Sequence, residues 1–510
     1  MYRIYFKNDI LFTILSYMMI FLLGISTKLS FYPYHNPFFI FFAFILFIYI
    51  ILINYDLKKI FIYTFCFSLG YFSSNLYWIF SIIDDYHSFE YFIFFIIFLF
   101  SIIILSLYIS LATYLYKRVS FYINIDFFNI IFLFPSILVL IDYLRSILFS
   151  GFTLYYPSHA IFDYFFPSLL PIGGDLLLNF VFYIVVCNIA YILYKRKLEY
   201  ISMLIFLSLF ILYYFTNNIN FTQKLENKTL KVQLIGSNFS KNDKLSSNKS
   251  IKRIKKYQYM ALIKPNLDLS IWPESTMGDL ENIPTTLMPN FKKLKKQKTE
   301  ILFGGYYKKD NKTYNTLIDP NKNDKIVYSK KHLIPFGEYI PKIFIPLKSI
   351  IPTMFMSQLS SNLETKIIEL KNINLSSSIC YELFFLNELR KRIKNSNIHI
   401  NISDLELLDG STLIYYMQAL VRLVAITSQK YILYSVNMGK SSIIDKNGKI
   451  LKDTKYNTTS TISHKVNLYK DNTPYILYGN KLLLYITLLI FIISIMLIYS
   501  NLKKDKKVIN

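Results

Sequence analysis

Ser377-Ser378-Ile379-Cys380-Tyr381-Glu382 stands where a predicted strand, Asn374 to Cys380, gives way to a predicted helix, Leu383 to Lys394. A short apolar run followed at once by helical periodicity is the repeating unit of a layered α/β domain. The same alternation extends outward on both sides. Leu230 to Gly236, Leu267 to Trp272, Glu300 to Gly304, Lys325 to Tyr328, Ile398 to Ile402, Ile432 to Ser435 and Ser442 to Ile444 read as strands. Lys249 to Lys264 and Thr412 to Ser428 read as helices, and Asp445-Lys446-Asn447-Gly448 as a hairpin turn. Residues 222–478 are therefore expected to form one α/β domain.

Beyond that domain the chain changes character. Apolar runs near residues 9–26, 37–54, 60–82, 91–115, 127–149, 171–194, 200–216 and 482–500 approach the roughly 20 residues needed to cross a bilayer. The expectation is a polytopic helical membrane domain over 1–221 with seven spans, and a C-terminal span with a basic tail over 479–510. Arg3, Lys7, Lys58, Lys59, Lys117, Arg118, Lys195 to Lys197 and the lysines from Lys503 onward fall on one side if all eight runs span. Asp84, Asp85 and Glu90 fall on the other. The positive-inside rule then puts both termini in the cytoplasm and the α/β domain outside it. Asp142 and Arg145 lie three residues apart inside the fifth run. Intramembrane charge is costly, so the pair is either a functional site or a tie between helices.

The net charge of +24 accompanies a bias toward Ile, Phe, Tyr, Asn and Lys, and no nucleic-acid motif appears, so a nucleic-acid partner is not expected. Six scattered histidines show no metal-ligand spacing, and no glycine-rich phosphate loop is present. Neither a metal nor a cofactor is expected.

Of the three cysteines, Cys66 and Cys187 fall inside apolar runs, which leaves Cys380 as the thiol expected to reach water. A lone thiol among polar groups is a candidate nucleophile. Two more polar signals stand at ends of predicted strands: Trp272-Pro273-Glu274-Ser275, and Tyr328 through Lys330, His332, Gly337 and Glu338 to Tyr339. A carboxylate, an ammonium and a thiol suffice for acyl transfer. The carboxylate takes the thiol proton, the thiolate forms a thioester, and the ammonium stabilises the oxyanion.

In this order the set resembles the nitrilase superfamily with its Glu-Lys-Cys triad, and the whole chain resembles the apolipoprotein N-acyltransferases, membrane enzymes of bacteria. The resemblance rests on Lys330 to Tyr339 above all, on Gly70 to Ile82, on the Leu144-Arg145 and Phe149 to Phe152 segments, on Pro171 to Gly174, and on the seven-plus-one order of spans. It implies an α-β-β-α sandwich, with Glu274 as base, Lys330 as oxyanion stabiliser, Cys380 as nucleophile, Glu338 orienting the lysine, and Tyr381 and Glu382 in support. Asn315 falls on a family position with a structural role. The loop Asp404 to Gly410 departs from the aromatic, glycine-containing loop usual there, and Asp142 stands where Glu is usual. The implied reaction moves a fatty acyl chain from a phospholipid to the N-terminal amine of a diacylated apolipoprotein at the bacterial inner membrane. The catalytic domain would lie in the periplasm of a monomeric enzyme. A membrane-tethered amidase acting on a small molecule is the alternative, and a non-enzymatic scaffold the third reading. The apolar stretch from Pro341 to Met356 is expected to dip into the outer leaflet.

Overall fold

The computed structural model describes the chain except residues 1, 83–87, 241–246, 265, 278–284, 323–325, 348–358, 362, 364–366 and 510. It divides into two units. One comprises 1–83, 91–219 and 478–510, and the other is centred on 220–477.

Every apolar run of the first unit is helical: Tyr2–Ser26, Phe38–Ile53, Leu57–Leu76, Ser88–Ser120, Phe134–Ile147, Leu170–Lys195, Tyr200–Thr216 and Lys481–Ile509. Among the described residues, five segments are long and apolar enough to cross a membrane: 11–30, 92–120, 126–147, 167–195 and 481–503. The fifth run opens with a π-helical turn, Asn129–Leu133, which runs directly into Phe134–Ile147. Leu11, Phe12, Met19, Phe100, Phe210 and Leu489 are exposed. Large apolar side chains face outward there because the surrounding solvent is lipid. Two helices cross where Gly24 meets Gly70. A Cβ on Gly24 would lie 2.1 Å from the Phe67 carbonyl oxygen, and one on Gly70 2.1 Å from that of Phe21. Close approach through small residues is how helices associate where no hydrophobic force separates them from lipid.

Among its described residues the second unit holds twelve strands: β1 (Gln223–Gly236), β2 (Leu269–Ile271), β3 (Glu300–Lys309), β4 (Lys312–Ile318), β5 (Ile326–Ser329), β6 (Ile368–Leu370), β7 (Ile373–Ile379), β8 (Ile398–Asp404), β9 (Ile432–Asn437), β10 (Ser442–Ile444), β11 (Ile450–Asp453) and β12 (Ser460–Lys470). They form two six-stranded sheets, ordered β12-β1-β2-β3-β4-β5 and β11-β10-β9-β8-β7-β6. Strands β1, β2 and β3 are mutually parallel, as are β7, β8 and β9. The Ser435 hydroxyl of β9 donates to the Ile235 and Ile271 carbonyls at 3.0 and 3.3 Å, joining the sheets through their inner faces. Helices Ser247–Leu262 and Met288–Lys296 cover the first sheet, where Tyr257, Trp272, Phe291 and Phe303 form a buried aromatic cluster. Leu386–Ile393 and Leu413–Ser428 pack on the second. The result is an α-β-β-α sandwich.

The segment Lys342–Leu347 makes a short 3-10 turn with Ile345 exposed, and the rest of the expected membrane-dipping stretch, 348–358, lies outside the described residues.

Candidate active site

Glu274, Lys330 and Cys380 follow the ends of β2, β5 and β7. Carboxyl ends of parallel strands are the usual place for a site in an open α/β sheet. Each motif contains a residue held in the left-handed region: Ser275 at φ 54°, Phe336 at φ 61° and Cys380 itself at φ 50°. Such conformations cost about 1–3 kcal/mol each and cluster where the backbone is bent to aim a functional group. The bend after β2 also needs Gly304 on neighbouring β3. A Cβ there would lie 2.5 Å from the Glu274 Cα, and the Gly304 N–H donates to the Pro273 carbonyl at 3.1 Å.

Lys330 is fully buried, whereas Lys331 is exposed. The Lys330 ammonium donates to Glu338 Oε1 at 2.7 Å and lies 3.7 Å from Glu274 Oε1. Glu338 is fixed by the Ile334 N–H, 2.9 Å from Oε2. Asn315 of β4 bridges the two carboxylates, its Nδ2 donating to Glu274 at 2.6 Å and to Glu338 at 3.3 Å. The Asp404 N–H donates to the other Glu274 oxygen at 2.8 Å. Three ionisable side chains are thus held by a network that burial strengthens.

Electrostatics follow from this packing. Burial pushes Glu274 up to about 7, with Glu338 and Asp404 adding to the rise and Lys330 and Asn315 opposing it. Burial alone would lower Lys330, but Glu338, Glu274 and the thiol reverse the effect and hold it as an ammonium well above the usual lysine range. Cys380 is 8% exposed, so the thiol expected to reach water is largely enclosed. Burial and then the Glu274 charge push it well above the usual thiol range, while Lys330 and the Asp404 N–H pull the other way. The resting thiol is therefore protonated, and a base beside it has a proton to take.

Glu382 lies at the next level out. Its carboxylate is fully buried and accepts from the Ile379 N–H at 2.8 Å, the Lys331 N–H at 3.0 Å, the His332 N–H at 3.3 Å and the Tyr328 hydroxyl at 2.7 Å. Arg392 Nη1 approaches it at 2.7 Å. Tyr381 is half-buried and packs edge-on against Phe384 and Phe385. The bonds of Asp404 and Arg392 were not expected from the sequence. A backbone N–H carries no sequence signal, and Arg392 lies ten residues beyond Glu382, outside any local pairing rule.

Asp142 and Arg145 lie in the membrane unit. Arg145 Nη2 is 3.2 Å from Asp142 Oδ1. Tyr183 and Asn179 donate to Oδ2 at 2.8 and 3.0 Å, and the guanidinium lies over the rings of Phe72, Phe152 and Tyr156. Among the described residues, no group of three or more His, Cys, Asp or Glu side chains is placed to hold a metal ion.

Comparison with known proteins gives two family matches. Residues 23–190 match the apolipoprotein N-acyltransferase N-terminal domain, and residues 244–470 match the carbon-nitrogen hydrolase family. The chain is 27% identical to the apolipoprotein N-acyltransferase of Haemophilus influenzae over 73% of its own length and 75% of the relative's. It is 28% identical to that of Pasteurella multocida over 71% and 73% respectively. Among solved structures, a CN-hydrolase superfamily protein from Xanthomonas campestris matches at 15% identity and a TM-score of 0.37, covering 47% of this chain and 91% of that one.

Proposed function

The chain belongs to the apolipoprotein N-acyltransferase family, and from that premise we propose that Glu274, Lys330 and Cys380 carry its reaction, the transfer of an acyl chain from a phospholipid to the N-terminal amine of a diacylated apolipoprotein. One observation favours this over a small-molecule amidase. The carbon-nitrogen hydrolase region shares its chain with a helical region that matches the N-acyltransferase membrane domain.

The chemistry follows from the residue types and from the contacts of Lys330 with Glu274 and Glu338. Glu274 in its carboxylate form takes the Cys380 proton. The thiolate attacks the ester carbonyl, and Lys330 stabilises the oxyanion. Collapse breaks the ester C–O bond, and Glu274 returns its proton to the departing lysophospholipid oxygen. The acyl group remains on Cys380 as a thioester. In the second half the acceptor amine attacks the thioester carbonyl and passes a proton to Glu274. The C–S bond breaks, and the proton returns to sulfur. Glu338 keeps Lys330 aimed and charged throughout. The reading also places the 220–477 unit on the periplasmic face with both termini in the cytoplasm, supported by the lysine and arginine distribution.

Mixing the purified full chain with phospholipid alone tests this. Mass spectrometry should find one acyl chain on Cys380, removable by hydroxylamine, and a diacylated lipopeptide should discharge it to the peptide amine. A thioester that passes only to water would favour the amidase. Because the base must be ionised and Glu274 sits at about 7, the first half-reaction should slow as pH falls below about 7, approaching tenfold per unit. A rate flat from pH 5.5 to 8 would remove Glu274 as the base.

A further inference from the structure

Glu382 touches none of the reacting groups, yet it joins the segments that carry two of them. Ile379, whose N–H it accepts, immediately precedes Cys380; Lys331 and His332, whose N–H groups it also accepts, immediately follow Lys330. The spacing between thiol and ammonium therefore passes through one carboxylate. An ionised carboxylate offers about four lone-pair sites and no proton. Ile379, Lys331, His332, Tyr328 and Arg392 all direct donors at it, so it has none to spare. Protonation would convert one acceptor into a donor facing another donor and loosen the clasp.

Nothing about burial favours the ionised form, since an isolated carboxylate out of water is costly. Desolvation pushes Glu382 up to about 7 against the pull of the backbone donors. Two cations bear on it. Lys330 does so at a distance and is engaged by Glu338 and Glu274. Arg392 contacts it directly at 2.7 Å from the helix Leu386–Ile393, with its guanidinium also over the Tyr328 ring at 5.2 Å. His332 is turned to Glu388, 3.3 Å away.

We propose that Arg392 is a positioning residue for acyl transfer: by holding Glu382 as a carboxylate it keeps the Cys380 turn and the segment after Lys330 clasped together across the working pH range. The proposal rests on the reading of Cys380 and Lys330 as reacting groups. Losing the clasp would move the thiol against the oxyanion site, and misplacement by about 1 Å can cost on the order of 10²-fold in rate.

The experiment measures single-turnover thioester formation from phospholipid by the full-length protein in detergent, from pH 6 to 9. Wild type comes first. If it transfers acyl groups with no acylated Cys380, the underlying reading fails, and the result is separable from any effect of Arg392. In Arg392→Gln the rate at pH 7 should fall about tenfold or more, and the deficit should shrink as pH rises and Glu382 ionises without its partner. Arg392→Lys, which keeps the charge, should restore most of the rate at pH 7. Adding Glu382→Gln to Arg392→Gln should make the deficit the same at every pH, because the group that titrates is gone. A loss in Arg392→Gln that is equal at all pH values, or that lysine does not rescue, would reduce Arg392 to a packing residue and overturn the proposal. So would an unchanged rate. If Arg392→Gln does not fold, Arg392→Lys decides. A near-wild-type rate at pH 7 supports the proposal, and a deficit there that does not change with pH overturns it.

Discussion

Two of the ionic clusters that the protein buries are built to opposite plans. In the membrane unit Asp142 faces one guanidinium, and its second oxygen takes Tyr183 and Asn179. Arg145 is wrapped by three aromatic rings. One anion meets one cation, while the buried Arg145 Nε has no hydrogen-bond partner among the described residues. In the α/β unit Lys330 meets two carboxylates, and a thiol stands beside them on a left-handed backbone. That cluster sets two carboxylates against one ammonium, and burial raises Glu274 to about 7, so one proton can be held or released there. A self-neutralising pair ties elements together, whereas an unbalanced one stays poised to exchange a proton. We propose that the membrane pair, read from sequence as either a functional site or a tie, acts as a tie, since Tyr183 and Asn179 join Asp142 to the helix Leu170–Lys195.

The largest expected effect separates the two plans outright. Cys380→Ala should abolish thioester formation and transfer while leaving the protein folded, as judged by its melting curve in detergent. Residual transfer by Cys380→Ala would break the contrast, because the α/β cluster would then be structural as well. Substituting one partner of the membrane pair should do the reverse. Asp142→Leu or Arg145→Met strands a buried charge and should destabilise the protein by about 3–5 kcal/mol, and the double substitution should recover most of it. Thioester formation per folded molecule should stay within a small factor of wild type in all three. A large rate loss in a well-folded double variant would show that the membrane pair takes part in the reaction. Lys330→Ala comes next, with about 3 kcal/mol of oxyanion stabilisation lost, read as a slower single-turnover thioester rate.

Much of this contrast was legible in the sequence, and the reasons lie in particular residues. The family resemblance of the stretch from Tyr328 to Tyr339 pointed to Lys330, and the structure buries Lys330 while neighbouring Lys331 is exposed. Strand β10 was bounded as expected and β9 nearly so, because both are buried along their length and carry adjacent apolar residues; β7 was placed to within one residue at each end although Asn374 and Ser376 to Ser378 stand in it. Strand β12 was not foreseen. It runs Ser-Thr-Ile-Ser-His-Lys along a half-exposed edge, and only Val466, Leu468 and Tyr469 are buried. Strand β4 escaped because it starts in polar residues at the Asp310-Asn311 turn. The expectation that Cys380 reaches water failed for a related reason. A lone thiol in a polar stretch says nothing of what packs over it, and that is decided only in the fold. Arg392 and the Asp404 N–H were invisible on the same ground.

The smallest effect gives the sharpest form of the comparison, because the same atom can be removed from the membrane pair and from the Glu382 clasp beside the reacting cluster. Tyr183 donates its hydroxyl to Asp142 at 2.8 Å, and Tyr328 donates to Glu382 at 2.7 Å. Both acceptors are buried carboxylates, and both tyrosines become phenylalanine with almost no change of shape. A hydrogen bond to a charged group contributes about 1.5–3 kcal/mol, so Tyr183→Phe and Tyr328→Phe should each cost roughly that much stability. Their effects on the reaction should differ. Asp142 keeps its arginine and its asparagine and holds nothing that reacts, so Tyr183→Phe should leave the thioester rate unchanged. Glu382 clasps the Cys380 turn to the segment after Lys330, so Tyr328→Phe should slow thioester formation severalfold beyond any loss of folded protein. Equal stability costs with unequal rate costs would show that the carboxylate of the α/β unit is coupled to the chemistry and that of the membrane unit is not. Equal rate costs would mean that both carboxylates merely support the fold.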